Sequence, residues 1–394
     1  MAAPKKAPVT DRTLRGFKYL RMLGPLLRRL HEAGTDRDRA GHRELFYDQY
    51  AALLLLYYFS PILTSLRGLQ QATALEAVRR RLGVRPTSLG SLSEAARVFD
   101  AALLQGIVAE LADRARPASP RDEAEALREL TALDGSLLPA LPRMAWALWQ
   151  DERHRAAKMH VGFAVLRGVP TAATVTVGSG SERQQWRRLA RPGGFYVVDR
   201  GYADYGLFQE LHDAGCSFVA RVQDNAAFEA QERRPTPAAA RRVGVARDVV
   251  IRRLGAPHHG RLLPQPFRVV VVATGRRRPD GTAVELVLVT DRLDLPADLV
   301  ALAYRYRWSV ELFFRWLKCV LGCRHLLSEC LNGVTIQVYM ALIASLVISL
   351  WVGRKPTKRT YEMICFYLSG WASEAEMLAY LEALRAKPPP LGKP

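Results

Sequence analysis

From the first residue to about 125, apolar positions recur at helical spacing in Ala- and Leu-rich runs. Breaks fall at GVRPTS and RARPASP, so this part predicts a series of helices. From about 130 the period shortens. MHVGFAVLRGVPTAATVTVGSG predicts two strands turning at Gly168–Pro170. SERQQWRRLA predicts a short helix with Ser181 as its N-cap. The apolar run Phe195–Val198 predicts a buried strand that ends on Asp199. DYGLFQELHDAG predicts a helix capped by Asp204, and CSFVARVQ another strand. Strands mixed with helices in this order predict an α/β fold with a mixed sheet. Residues 224 to about 265 are irregular and Arg-rich, and FRVVVVATGRRRPDGTAVELVLVTD predicts two strands around an RPDG turn. Asp294 as N-cap, with Pro296 early, then opens a helix that runs through YRYRWSVELFFRWLK, residues 304–318.

Two apolar runs raise the question of a membrane. VTIQVYMALIASLVISLWVG, 334–353, has the length of a span but carries Thr335, Gln337, Ser345 and Ser349, and predicts a buried core helix. AALLLLYYF, 51–59, is too short to cross. No membrane partner is expected. MAAPKKAPVTDR lacks the apolar core of a secretory signal, and five Cys form no paired framework, so the expected setting is cytoplasmic. The tail KPPPLGKP is expected to be disordered.

Charge changes this picture. Lys plus Arg is 57 against 38 Asp plus Glu, a net charge of +19, which favours a polyanionic partner such as DNA. Only nine of the basic residues are Lys, as a GC-rich genome would produce. That explains Arg over Lys but not basic over acidic. Residues 221–292 alone hold 14 Arg and 7 acidic residues, a basic β-rich segment inside the α/β region.

The helix through 304–318 concentrates the candidate chemistry. Tyr304, Arg307, Glu311, Arg315 and Lys318 fall within an arc of about 80°, while Val310, Phe313 and Leu317 face a core. A solvated face held by Glu311 pairs with Arg307 or Arg315 would give the same pattern. The other reading is a site in which Glu311 binds metal while Tyr304, Arg307 and Lys318 hold phosphate. One Glu cannot hold a hard cation, so further carboxylates are required. Asp199 ends FYVVD, and Asp134 lies in TALDGSLLPAL; both read as strand-end carboxylates. Two Asp and one Glu suit two Mg²⁺ or Mn²⁺ ions and phosphodiester chemistry. Cys319, Cys323, His325 and Cys330 suit no common zinc spacing and read as buried thiols. Gly178-Ser179-Gly180 reads as a turn. RRRPDG, 276–281, is either a solvated hairpin tip or a DNA-backbone contact. Lys158 and His160 either approach the site from a neighbouring strand or simply pack across it.

These residues resemble the DDE transposases of bacterial insertion sequences, specifically the IS-four-type family. The family signature is Tyr, two residues, Arg, three residues, Glu, six residues, Lys, matched by Tyr304, Arg307, Glu311 and Lys318. DRGYADYGLFQEL at Asp199 resembles its second Asp motif, and LDGS at Asp134 its first. KMHVGFAVLRGVP and LVTDRLDLPADLVALAYRYRW are similar as well; the likeness spans about 126–350. It implies catalytic and metal-binding roles for Asp134, Asp199 and Glu311, and DNA binding by Tyr304, Arg307, Arg315, Lys318, Arg200 and Tyr202.

The resemblance also implies an α/β, ribonuclease-H-like mixed-sheet core with an inserted β-strand subdomain and a helical N-terminal domain. The expected division is a helical DNA-binding region at 1–125, the core at 126–222 and 294–370, a basic β insertion at 223–293, and a helix with tail at 371–394. The implied reaction is cut-and-paste transposition by a homodimer in a synaptic complex, on nucleoid DNA. Cleavage at terminal inverted repeats precedes 3′-OH transfer, in many relatives through a hairpin. A non-catalytic DNA-binding descendant and a ribonuclease-H-like nuclease or resolvase are the alternatives. One departure stands out. Some relatives hold a flipped base against a Trp of the insertion, but the Trp residues here are 146, 149, 186, 308, 316, 351 and 371, none of them in 223–293. Phe228, Phe267 or His258–His259 are the expected substitutes.

Overall fold

The computed structural model describes residues 23–36, 42–115, 125–147, 155–255 and 261–386. MAAPKKAPVTDR, KPPPLGKP and His258–His259 lie outside the described residues. The N-terminal part is helical: α1 (Leu23–Asp36), α2 (Tyr47–Phe59), α3 (Leu66–Ala74), α4 (Glu76–Leu82), α5 (Leu89–Val98) and α6 (Ala101–Asp113). Local chemistry sets their ends. Ser65, Ser88 and Asp100 cap α3, α5 and α6 by accepting from Gly68, Ser91 and Ala102 amides. Gly83 ends α4 in the left-handed region at φ +63°.

Nine strands follow in one mixed sheet: β1 (Leu130–Pro139), β2 (Ala156–Ala164), β3 (Val169–Val177), β4 (Phe195–Val198), β5 (Ser217–Arg221), β6 (Phe228–Arg233), β7 (Val245–Leu254), β8 (Arg261–Arg277) and β9 (Ala283–Thr290). Their order is β3-β2-β1-β4-β5-β9-β8-β7-β6. β1 is antiparallel to β2 and parallel to β4, and β4 is parallel to β5. The basic β segment therefore does not stand apart from the sheet. β9 pairs with β5 through Ala220↔Val289, so what would be an open sheet edge is continued by four more strands.

Helices α7 (Glu182–Leu189) and α8 (Tyr205–Asp213) cover one face over a core built around the fully buried Trp186. Phe208 and Phe218 meet its ring edge-on. The other face receives α10 (Ala297–Tyr306), α11 (Trp308–Arg315) and α12 (Leu331–Val352), after the short α9 (Ala238–Arg242). α13 (Lys358–Leu368) and α14 (Glu374–Ala386) complete the chain.

α12 is long and apolar enough to cross a membrane by length and composition, but it is largely buried inside the protein, as its sequence predicts. A helix apolar on every side needs cover all round. β3 supplies it on one side, and α2, α5 and α6 on another. For that reason the N-terminal helices and the sheet share one hydrophobic core.

Two features fix the approach to α10. Asp294 does not cap it; its carboxylate is held by Arg292 at 2.7 and 2.8 Å, and Pro296 takes the cap position. Arg268 on β8 is buried and forms a two-pronged pair with Asp248 on β7, at 2.6 and 2.8 Å. Its remaining nitrogen donates to the Leu295 carbonyl, which ties the added strands to the start of α10.

Candidate active site

Three acidic residues from separate elements lie near α10 and α11: Asp134 and Glu311 share Arg307, and the Asp199 charge acts on Asp134. Asp134 is not at a strand end but in the middle of β1. Parallel pairing of β1 with β4 stops at Ala132↔Val197, so Asp134 emerges where its neighbour strand has ended. Asp199 follows β4 directly, and its Oδ1 accepts from the Gly201 amide at 2.9 Å. Glu311 lies in the first turn of α11. The sheet thus delivers one carboxylate from within β1, where its pairing with β4 has stopped, and one from just past the carboxyl end of β4, and the helix supplies the third.

Arg307 joins them. Its guanidinium donates to Glu311 Oε1 at 2.6 Å and reaches Asp134 Oδ2 at 3.4 Å. The pairing with Glu311 at four-residue spacing is what a solvated helix face would also form. Here, however, Arg307 is only 13 % exposed and is shared with a residue 173 positions away. Its Nε is buried without a hydrogen-bond partner among the described residues. Burial works against its charge, but Tyr304, Glu311 and Asp134 outweigh it and keep it cationic. Burial pushes the Asp134 carboxyl up to about 7; the Asp199 and Glu311 charges push the same way, while Arg307 and the Gly135 amide oppose them.

The helix expected through 304–318 forms, with Arg307 and Trp316 in the helical region, but its hydrogen bonding is irregular. α10 ends at Tyr306, α11 begins at Trp308, and a π-helical turn spans Trp316–Val320. Such turns concentrate at functional sites. Lys318 lies in that turn and donates to Ser136 Oγ at 2.8 Å, two residues from Asp134. Tyr304 is half-buried, with the Arg307 guanidinium 5.8 Å from its ring centre and Arg221 at its hydroxyl. Arg315 and Arg200 are exposed.

Tyr202 is corrected. It is 1 % exposed and packs edge-on to Trp186, so it is a core residue behind the carboxylates and not a DNA-contacting surface. Phe267 is also excluded as a stacking surface, because it is fully buried. Phe228 is partly covered by Arg247, 5.1 Å from its ring centre. The exposed aromatic ring at the site is Trp308, 53 % accessible. It stands at the rim of a cavity of about 610 Å³ that opens beside Tyr304 and Arg307, with Arg221 and Arg276 on its wall. Sequence reasoning passed over Trp308, Ser136 and Arg221. Only the adjacency of Trp308 to Arg307 could have flagged it.

The zinc alternative is not supported. Cys323 is fully buried as expected, but Cys319 is exposed and Cys330 half-buried, and among the described residues these groups are not spaced to share an ion. For the three carboxylates, the donor chemistry fits a hard divalent cation: all are oxygen donors, and Asp134 is held at high pKa by burial and by its two acidic neighbours. As placed, Arg307 occupies the position between two of them. Among the described residues, no group of three or more His, Cys, Asp or Glu is spaced to share an ion.

Residues 125–347 match the family model described as the transposase DDE domain. Transposase y4zB of Sinorhizobium fredii is 31% identical over 264 residues, covering 66% of this chain and 69% of its own. A protein of Synechocystis named as a transposase for insertion sequence element IS4SA is 22% identical over 323 residues, covering 80% and 87%. One of Geobacillus stearothermophilus, named for element IS5377, is 25% identical over 224 residues, covering 57% and 56%. Among solved structures, a piggyBac transposase synaptic complex with hairpin DNA aligns over 99% of this chain and 87% of its own, at 10% identity and a TM-score of 0.43. The matched domain takes in more than half of the chain, including Asp134, Asp199, Glu311 and the Tyr-Arg-Glu-Lys spacing, and the chain belongs to the family of DDE transposases, enzymes that cleave DNA and transfer its strands.

Proposed function

We propose that this insertion-sequence transposase works by cut and paste, cleaving at terminal inverted repeats and joining the freed 3′-OH to target DNA. Asp134, Asp199 and Glu311 would hold two Mg²⁺ or Mn²⁺ ions. The observation that carries the reading is Arg307, which spans Asp134 and Glu311 where Asp199 also acts electrostatically. Bound divalent ions would activate the attacking oxygen and stabilise the leaving one. The chain's own residues do the rest. Arg307 neutralises the carboxylates in the free protein and transfers its planar fork to a DNA phosphate when the substrate arrives. Lys318 and Tyr304 hold the same strand, and Arg315 and Arg200 supply exposed positive charge along its path. Trp308 and the adjacent cavity offer a stacking surface for a nucleotide near the cut.

The strand order β3-β2-β1-β4-β5, antiparallel and then parallel, supports a ribonuclease-H-like core at 126–222 and 294–370. In this reading 223–293 is a basic β insertion, 1–125 a helical DNA-binding region, and 371–394 a closing helix and tail. Two copies pair the element ends in a synaptic complex. The test is purified protein with Mg²⁺ on a supercoiled plasmid carrying the DNA that flanks its gene. Nicked and joined products are expected, and Glu311→Gln abolishes them while leaving the fold intact. Undiminished cleavage by Glu311→Gln would overturn the assignment.

A further inference from the structure

The ladder joining β1 to β4 ends at Ala132↔Val197, two residues before each of Asp134 and Asp199. The direct β1–β4 ladder thus stops short of both aspartates, and side chains behind them fill the space between the two segments. In the β1–β2 register Asp134 stands opposite Val161, and Gly135 opposite His160, so Lys158 and His160 occupy the face of β1 away from Asp134. The Lys158 stem fills the space that a side chain at 135 would take: a Cβ on Gly135 would lie 2.5 Å from Lys158 Cε. From there Nζ donates to Glu182 Oε1 at 2.6 Å. Both side chains are largely enclosed, 15 % and 25 % exposed.

Glu182 opens α7, and its second oxygen abuts the turn that carries Asp199. A Cβ on Gly201 would collide with Glu182 Oε2 and come within 3.2 Å of Asp199 Oδ1. The Gly201 amide, in turn, is the donor that holds Asp199 Oδ1. One face of Glu182 thus meets Lys158, and the other meets the Asp199–Gly201 turn. Burial raises the pKa of the Tyr202 hydroxyl, and the charges of Asp134, Glu182 and Asp199 all push it the same way. A carboxylate set beside Asp199 is repulsive by itself, and Lys158 is the cation that offsets it.

We infer that the Lys158–Glu182 ion pair positions the two aspartates, linking the Asp134–Gly135 segment of β1 to the Asp199–Gly201 turn. Lys158 and Glu182 are positioning residues; they act through the aspartates and touch no substrate. The inference rests on the assignment of Asp134 and Asp199 as catalytic. Small displacements of reacting groups are costly to rate, while a mostly enclosed pair away from the DNA path has little effect on binding.

The test uses full-length Glu182→Gln and Lys158→Met beside Asp199→Asn, with thermal melts, affinity for a duplex of the flanking DNA, and the cleavage rate at saturating DNA. For Glu182→Gln, the isosteric change, the expected result is a rate reduced roughly 10- to 100-fold at unchanged affinity and with a wild-type melt. Lys158→Met is expected to behave alike. A folded Glu182→Gln that cleaves at the wild-type rate overturns the inference, as does a loss explained wholly by weaker DNA affinity or a smaller folded fraction. Asp199→Asn separates the two levels. If it cleaves normally, the site assignment itself is wrong. If it is inactive while Glu182→Gln is fully active, only the positioning role fails.

Discussion

Arg307 donates to Glu311 at 2.6 Å across the first turn of α11, in a place where the family's chemistry calls for a cation. In the proposed reading, the guanidinium lies where a bound divalent ion would bring positive charge to the carboxylates. Arg307→Met should therefore shift two measurements in opposite directions. Mn²⁺ binding to the DNA-free protein, followed by electron paramagnetic resonance, should tighten about fivefold, the worth of one partly exposed ion pair. Cleavage in Mg²⁺ should fall about 100-fold through loss of a phosphate contact. Weaker Mn²⁺ binding in the variant would show that Arg307 supports the carboxylates and does not compete for them.

Trp308 is 53 % exposed beside a cavity lined by Tyr304 and Arg307. An exposed ring contributes little to folding, so Trp308→Ala should change stability by no more than about 0.5 kcal/mol. If the ring stacks on a nucleotide, end-DNA binding or cleavage should weaken by about 1–3 kcal/mol, roughly 5- to 150-fold. Trp308→Phe should restore most of it. Equal cleavage by the Ala and wild-type proteins would remove Trp308 from the site.

His160 gives a pH dependence. It is buried at 1 % exposure, its Nε2 lies 3.0 Å from Thr176 Oγ1, and its Nδ1 has no hydrogen-bond partner among the described residues. Burial first, and the Lys158 charge second, lower its pKa to about 4. The unfolded chain protonates near 6.5, before the folded one does. Its contribution to stability is therefore intact above about pH 6.5 and is lost as the pH falls to about 4, on the order of 3 kcal/mol in all. Urea melts at pH 7.5 and 4.5 should show a smaller acid loss in His160→Gln than in wild type. Identical losses would mean that His160 is not held neutral.

The hydrophobic pattern and residue spacing were sufficient for much of this protein. Helical periodicity is local, so the chain around Val310, Phe313 and Leu317 announces its buried face, and Tyr304, Arg307, Glu311 and Lys318 announce the opposite one. Short apolar runs ending in Asp are local too, and they point to Asp199 and to Asp134. The charge excess needs no structure at all.

Other features depend on contacts between distant segments. Whether Tyr202 meets DNA or a core depends on Trp186, which packs over it from α7. The continuation of the sheet from β5 into β9 depends on which strand reaches an open edge, and hydrogen-bonding groups on strands look alike in sequence. The helices before residue 125 join the sheet's core because α12 must be covered on every side. Glu182 reads in sequence as an ordinary acidic residue after an N-cap. Only the folded chain brings it against Lys158 and the Asp199 turn, 24 and 17 residues away in sequence. Sequence determined which chemical groups the protein carries and which way each element faces. Tertiary structure alone decided which groups share a site, because burial and charge coupling act through space.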